Sequence, residues 1–576
     1  MQNVNRLNMR LILAATGTLA GLFFWLLNEV FQIRLGQGAA AVAAYVFGLV
    51  FFAALLVMLA PLGRRAVLPA LGLAAGVAGL LAWASLRHDS PSRFFDLGYP
   101  GVAGFLLAAV PIPFLIAGHR RGEGWRNYAA LFAHSWGIVA RFAAGLLFVG
   151  LAWLTLWLSE SLLQVAGVEL IARLRALSGF PYILTGLTLG LALAVVDEYS
   201  DYVSAHLMLR LFRLLLPVVL VVVLVFVVAL PLQGFRSLLP GVSVATTLLT
   251  MALVITLLVS CAVDGSDDGA VKTPLLRFSA QGLALLLPVL AALAVHALWL
   301  RVADEGWTPQ RLMAAALAMV LCGYGASYAL ALLSRTHWMR RIRRANLIMA
   351  LAIPVLAMLW LSPLFVPERI ATQSQLARYD RGAVTAEALP LVQMRDNWGR
   401  SGRDGLAALA QRAEGGDAAL ATALAALPET PDGGLSQAEV LADLLRLMPV
   451  FPPQAQDVVR QILAEVHPAE LGLWLQGCQI RSPAGHPGCA LVVADFLPAL
   501  PGEEALLIYG SRGGFVGQEA FGQLAQGGRI RLRAAGLGLE GQGLSLLDAL
   551  HAGDYSVEPA EMNALRSPGV QIILTP

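Results

Sequence analysis

Charge is what this chain is shortest of: Asp, Glu, Lys and Arg make up 13% of its 576 residues, about half the share typical of soluble domains. The long apolar stretches carry no acid near their centres. Ion-coupled carriers keep a charged group near mid-bilayer, where it is costly and therefore retained for function, so this scarcity argues against proton- or sodium-driven transport. Lysine is scarcer still, with Lys272 the sole example. The Gly-x-x-x-x-Gly-Lys-Ser/Thr loop that cradles nucleotide phosphates is missing, which argues against nucleotide-driven pumping. Gly-x-Ser-x-Gly nucleophile elbows and His-Glu-x-x-His zinc sites are missing too, so no catalytic residue, metal or cofactor is expected. Asp264-Gly265-Ser266-Asp267-Asp268-Gly269 begins like a calcium loop, but its ninth and twelfth positions are Lys272 and Leu275. Without the bidentate Glu at the twelfth position it reads as a solvated loop.

What the chain has instead is apolar length. The mean hydropathy is +0.70, and eleven stretches match the roughly 20 residues that a helix needs to cross a bilayer core of about 30 Å. They are Leu11–Leu27, Ala39–Ala60, Ala66–Ser85, Pro100–Ala117, Phe142–Ser159, Tyr182–Val196, Leu214–Leu230, Val242–Val263, Gln281–Leu300, Arg311–Leu333 and Leu347–Val366. Arg6 and Arg10 precede the first stretch as in a secretory signal, but no small-residue cleavage site follows Leu27, so it reads as a retained helix. The expected fold is an all-α polytopic transmembrane bundle over 1–366. It is followed by a soluble helical connector over 367–470 and a small α+β domain over 471–576. In that domain, runs such as Cys489–Phe496, Ala505–Tyr509, Arg529–Ala534 and Val570–Thr575 read as strands, with turns at Gly513-Gly514 and Gly527-Gly528.

The net charge of +3 conceals opposite halves: residues 1–366 carry 25 basic against 14 acidic residues, and the tail 15 against 23. An acidic tail excludes nucleic acid as the natural partner, because phosphate binding needs a concentrated basic surface. With the N-terminus inside, the inner loops hold 17 Lys and Arg and the outer loops 8. The positive-inside rule then puts the N-terminus in the cytoplasm and, after eleven crossings, the tail outside. The tail's cysteines agree with that. Cys478 and Cys489 bracket a loop containing Pro483 and Pro487, which suits a disulfide in an oxidising compartment. The other two, Cys261 and Cys322, lie in spans and read as small apolar fillers.

Four further groups stand out. Asp197, Glu198, Asp201 and His206 cluster at the inner end of the sixth span, where they could take a cation or relay protons, or could simply pair with Arg210 or Arg213. Arg120, Arg121, Trp125 and Arg126 sit with Tyr128, Phe132 and Trp136 at a membrane edge, as anchors facing anionic lipid headgroups do. The outer loop Glu160–Pro181 has the spacing of an amphipathic helix lying on the interface. Thr308 and Pro309 read as the cap and first turn of a helix, with Trp307 at the interface.

Several stretches resemble a bacterial membrane-protein family known as domain of unknown function 4153. They are Ala229-Leu230-Pro231-Leu232-Gln233-Gly234, Leu258–Gly265, Arg301-Val302-Ala303 with Gly306-Trp307-Thr308-Pro309-Gln310-Arg311, Ser374-Gln375-Leu376 and Asn397-Trp398-Gly399-Arg400. Glu305 stands where that family usually has a tyrosine. The resemblance implies a multi-pass protein of the bacterial inner membrane and no established reaction, so it carries over no catalytic residue. Two function classes fit: a non-enzymatic envelope anchor whose periplasmic module binds an envelope protein or lipid, or a transporter or lipid flippase with a cavity in the bundle. Pro111, Pro113 and Pro217 could break helices around such a cavity.

Overall fold

Apolar stretches in lipid must satisfy their own backbone groups, and helices do so within one segment. In the computed structural model of the chain the first helices are α1 (Gln2–Leu26), α2 (Ala39–Leu62), α3 (Val67–Ser85), α4 (Pro91–Asp96), α5 (Tyr99–Ala109), α6 (Pro111–His119) and α7 (Tyr128–Val165). Then come α8 (Leu170–Ala176), α9 (Phe180–Glu198), α10 (Ala205–Gln233), α11 (Val244–Val263), α12 (Pro274–Glu305), α13 (Pro309–Leu333) and α14 (Trp338–Leu361). The structure describes the chain apart from residues 1, 32–37, 89–90, 166–167, 169, 199–204, 234–243, 334–336, 428–436, 467, 483, 497–502, 511–515, 524–528, 533–542, 558–563, 568–569 and 574–576.

Among the described residues, ten helical runs are long and apolar enough to cross a membrane. One of them, the 47-residue run Ala39–Ser85, holds two of the eleven expected spans. Straight, that run would measure about 70 Å, more than twice a bilayer core. It folds back at Gly63, whose φ of 59° opens the 3₁₀ turn Gly63–Ala66. Val42 and Val50 of α2 then share a core with Ala74, Val77 and Leu81 of α3. Two loop expectations are corrected. Tyr128, Phe132 and Trp136 belong to α7, 38 residues long. That helix also absorbs the start of the expected interfacial segment, leaving the short α8, whose Arg175 pairs with the buried Glu160 at 3.0 Å.

Helices approach most closely where side chains are absent. Gly17 and Gly21 of α1 face Gly186 and Gly190 of α9. A Cβ on Gly17 would lie 2.0 Å from the Gly186 carbonyl oxygen, and one on Gly190 would lie 2.3 Å from that of Leu13. Both helices thus carry Gly-x-x-x-Gly at their contact, the small-residue device that lets membrane helices pack without a hydrophobic driving force.

The bundle's polar contacts sort into two ends. Arg10 with Glu198 (2.7 Å), Arg141 with Asp197 (2.9 Å) and Asn346 with Tyr128 (2.9 Å) join segments expected on one side. Trp25 with Ser178 (3.0 Å) and Arg87 with the Leu361 carbonyl (2.7 Å) join segments expected on the other.

The chain divides into two compact units, Met1–Leu427 and Pro428–Pro576, so the first unit extends past the expected boundary at 366. The reason is burial. Helices α15 (Pro367–Asp380), α16 (Leu391–Asp396), α17 (Gly399–Glu414) and α18 (Ala418–Ala425) place Ala371, Met394, Trp398, Leu409 and Leu420 in one core with Val77, Tyr99 and Trp360.

The second unit has helices α19 (Gln437–Leu447), α20 (Gln456–Glu465), α21 (Pro468–Gln479) and α22 (Gly543–Ala552). Its main sheet holds β1 (Val450–Phe451), β2 (Cys489–Ala494), β3 (Glu504–Gly510), β4 (Val516–Gln523) and β5 (Arg529–Leu532), in the order β1-β2-β3-β4-β5. β1 and β2 run parallel and the other neighbours antiparallel. β6 (Ala564–Ser567) and β7 (Val570–Ile573) form a separate hairpin. Leu444, Leu463 and Trp474 cover one face of the main sheet, and Leu547 and Leu550 the other. Two-sided cover explains why β2 reads as an unbroken apolar run rather than an alternation. The expected turns at Gly513-Gly514 and Gly527-Gly528 lie outside the described residues.

Candidate functional site

The last carbonyls of a helix have no donor in the next turn and need one from elsewhere. Helix α12 stops at Gly306, whose φ of 77° suits glycine alone, and α15 supplies the donors. Arg378 donates from Nη1 to the Ala303 carbonyl at 2.9 Å and from Nη2 to that of Asp304 at 2.5 Å. Gln375, one turn earlier, donates to the carbonyls of Glu305 (3.0 Å) and Trp307 (3.2 Å). The Trp307 amide donates to Ser374 Oγ at 3.1 Å. A positive guanidinium at this helix end also meets the negative pole of the helix dipole. A side chain at Gly306 would lie 2.6 Å from Arg378 Cδ, so the contact admits none. Thr308 caps α13 through the Arg311 amide at 3.3 Å, with Pro309 in the first turn.

Beside this lies a second buried group. Glu368, in the first turn of α15, is 1% exposed and accepts from Tyr99 Oη at 2.5 Å. His88 Nε2 stands 3.8 Å from the same carboxylate oxygen. Burial pushes the Glu368 carboxyl above its usual range. Burial first, and then the Arg87 guanidinium, hold His88 down at about 4. Arg87 Nε and Nη2 donate to the carbonyls of Ala84 (3.2 Å) and Leu361 (2.7 Å), while the Arg87 carbonyl accepts from the Arg400 amide at 3.0 Å. Gly399, with φ of 53°, comes so close that a Cβ would lie 2.4 Å from that carbonyl. Carboxyl, phenol and imidazole together have the groups for proton transfer. The side chains of His88 and Glu368 are only 1% and 2% exposed, however, so no substrate reaches them. The arrangement fastens rather than reacts.

The structure thus brings together three stretches singled out in the sequence: Gly306–Arg311, Ser374–Leu376 and Asn397–Arg400. Glu368, Thr372 and Arg378 were missed. They form a polar stripe at helical spacing along α15, and such a stripe normally reads as the solvated face. Here it is the buried face.

The four-residue cluster at the sixth span does not form a shared site. Asp197 pairs with Arg141 and Glu198 with Arg10. Asp201 and the side chain of His206 lie outside the described residues. The expected pairing along the helix is replaced for Arg213, which pairs with Asp264 and donates to the carbonyls of Cys261 (2.8 Å) and Gly269 (2.9 Å). That corrects the reading of 264–269 as merely solvated. Asp264 is buried at φ of 55°, and Arg343 also grips the loop through the carbonyls of Asp264 (3.0 Å) and Val263 (2.8 Å) and the Asp267 carboxylate (2.6 Å). Arg343 holds the exposed Asp267 carboxyl below its usual range. Nearby, Tyr328 donates to Asn346 Oδ1 at 2.6 Å, and Asn346 donates to Ser260 at 3.2 Å. The group at 120–126 is exposed: Arg126 lies over the Trp125 ring at 4.7 Å, and Arg120 pairs with Glu123 at 3.0 Å. A depression lined by Leu13, Leu56, Phe142, Arg141 and Asp197 has room for about one water molecule.

In the second unit Cys478 and Cys489 are joined as a disulfide, with Cα atoms 4.5 Å apart. The loop between them returns on itself through the Ser482 amide to the His486 carbonyl (3.0 Å) and the Gly488 amide to the Ile480 carbonyl (2.6 Å). Ser482, His486 and Asp548 meet there, but not as a catalytic triad. Both Ser482 Oγ and His486 Nδ1 address the Asp548 carboxylate, so the imidazole is not placed to take the serine proton. Among the described residues no group of three His, Cys, Asp or Glu is arranged to hold a metal ion.

Comparison with known proteins finds no match for the chain among family models, curated proteins or solved structures.

Proposed function

We propose that this chain is a non-enzymatic anchor of the bacterial inner membrane. In this reading the bundle and residues 367–427 form one rigid platform, which carries the unit 428–576 in the periplasm to bind an envelope protein or lipid. The observation that carries it is the fastening of α15 to the end of α12 by Gln375 and Arg378, beside the buried Glu368. Spending so many buried polar groups on holding a helix against a bundle end makes sense where a rigid mount is needed. Transport needs polar groups free to exchange partners along a passage. Here Arg213, Arg343 and Asp264 are tied to one another and to backbone, which favours the anchor over a transporter or flippase.

The sorting of loops to two ends, with the basic excess at the end holding Arg120, Arg121, Arg213 and Arg343, supports a cytoplasmic N-terminus and a periplasmic tail. Fusions after Leu427 should then be active as alkaline phosphatase and dark as a cytoplasmic fluorescent protein. The binding role is tested by crosslinking in membranes and affinity purification, comparing the full chain with one ending at Leu427. The full chain should recover partners that the shorter one loses; identical recoveries would sink the module-centred reading.

A further inference from the structure

Helix α22 covers one face of the main sheet through Leu547 and Leu550, packed on Ala490, Val492 and Ile508. Asp548 and His551, three residues apart on that helix, meet the disulfide-closed loop. Asp548 accepts from Ser482 Oγ and from the Ala484 amide (3.2 Å), and stands 2.9 Å from His486 Nδ1. The His486 ring lies flat on that of His551, with centroids 4.1 Å apart and planes 10° from parallel. The Phe451 ring of β1 meets His551 edge-on at 5.4 Å and Tyr555 at 6.1 Å. His551 Nε2 is buried with no hydrogen-bond partner among the described residues. Arg481, also in the loop, donates to the Gly485 carbonyl at 3.4 Å. Parallel rings aim their lone pairs side by side rather than at one point, so the pair is not a metal chelate.

We propose that the His486–His551 stack is a proton-operated latch that ties α22 to the disulfide loop while the rings are uncharged and lets go in mild acid. His486 faces the Asp548 carboxylate and is partly open to water. A proton on His551 would give its Nε2 a hydrogen-bond donor with nothing among the described residues to receive it, and any charge on the His486 ring would stand 4.1 Å away, so His551 must turn outward. Burial first, and then His486, lower the pKa of His551, with Asp548 opposing. A histidine whose folded pKa lies below its unfolded value stabilises the closed form above about 6.5, and that contribution is lost as pH falls toward the lower folded value. Closure therefore belongs to neutral pH and release to the acid side. The disulfide keeps the loop's shape fixed, so the motion falls on α22.

Hydroxyl-radical footprinting of the full chain in detergent micelles, at pH 7.5 and pH 5, reads this directly. Oxidation of Leu547 and Leu550 should rise by about fivefold or more on acidification, as expected for a histidine switch crossing its range. Oxidation of Leu463 and Trp474, on the opposite face of the sheet, should stay flat. His551→Gln removes the titration and should hold Leu547 and Leu550 at their neutral-pH level. His551→Phe, which keeps a ring against His486, should do the same and guards against one variant failing to fold. A flat wild-type response, a rise that survives both variants, or a parallel rise at Leu463 and Trp474 would each overturn the latch.

Discussion

Replacing Arg378 with alanine removes the fork that closes the end of α12. Two hydrogen bonds from a charged donor, at 2.9 and 2.5 Å, are each worth about 1.5–3 kcal/mol. Water reaching the freed carbonyls recovers part of this, while the loss of a cation at a helix C-terminus adds about 0.3–1 kcal/mol. The balance is a weakening of the junction by about 2–4 kcal/mol, which converts to roughly a 30- to 700-fold rise in the open population. Limited proteolysis with peptide mapping measures that population where opening and reclosing are fast relative to cleavage. Cuts within 367–427 should accelerate by that factor, while cuts in the second unit keep their rate. Arg378→Lys keeps the charge without the planar fork and should fall in between. Acceleration of less than about twofold in the alanine variant, under 0.5 kcal/mol, would mean that the guanidinium does not fasten α15.

Gly186→Leu should force α1 from α9 and cost about 1–3 kcal/mol in the bundle, read as lost monodisperse yield after detergent extraction. Gly72→Leu, on an exposed stretch with open space around the position, should leave that yield unchanged. His88 is held near 4 in a nearly closed site, so acidification from 6.5 toward 4 should destabilise the junction by up to about 3 kcal/mol. Glu368, shifted upward by burial, opposes this as pH falls toward 4.5, because its protonated form is favoured in the folded state. Melting curves across that window should flatten in His88→Gln and steepen in Glu368→Gln. Thiol labelling of denatured, unreduced protein should modify Cys261 and Cys322 and spare Cys478 and Cys489. Replacing the pair with serine should cost the second unit about 2–3 kcal/mol by lengthening the reach of its unfolded chain.

The helical elements were legible because apolar length is a one-dimensional signal. It placed α2, α3, α9, α11 and α13 within two residues at each end, and Thr308 and Pro309 announced the start of α13. Arg64 and Arg65 read as the connection between two spans, and they lie in the 3₁₀ turn Gly63–Ala66. The same signal could not show that α7 begins at Tyr128, where aromatics and arginines at a membrane edge mimic an interfacial loop. The unit boundary was missed for a related reason. The composition changes at Val366, but the core does not, because α15 buries its polar stripe against helix ends and covers Glu368 with Tyr99. Asp264 illustrates the same limit: its buried role depends on Arg213 and Arg343, far off in sequence, and no local pattern encodes either pairing. In the second unit, β2 and β3 were visible as apolar runs. β4 was not, because Val516-Gly517-Gln518-Glu519 lacks the composition of a strand and is held by its register with β3.

The claim that residues 367–427 belong to the membrane platform is tested most directly by where the chain can be cut. Two truncations, ending at Val366 and at Leu427, are compared with the full chain by thermal melting of the purified bundle in one detergent. The version ending at Leu427 should melt within a few degrees of the bundle transition in the full chain, because it keeps the core shared by Trp360, Met394 and Trp398. The version ending at Val366 loses that core and the donors of Gln375 and Arg378, and should melt markedly lower or aggregate on extraction. Equal bundle transitions for the two truncations would contradict the account.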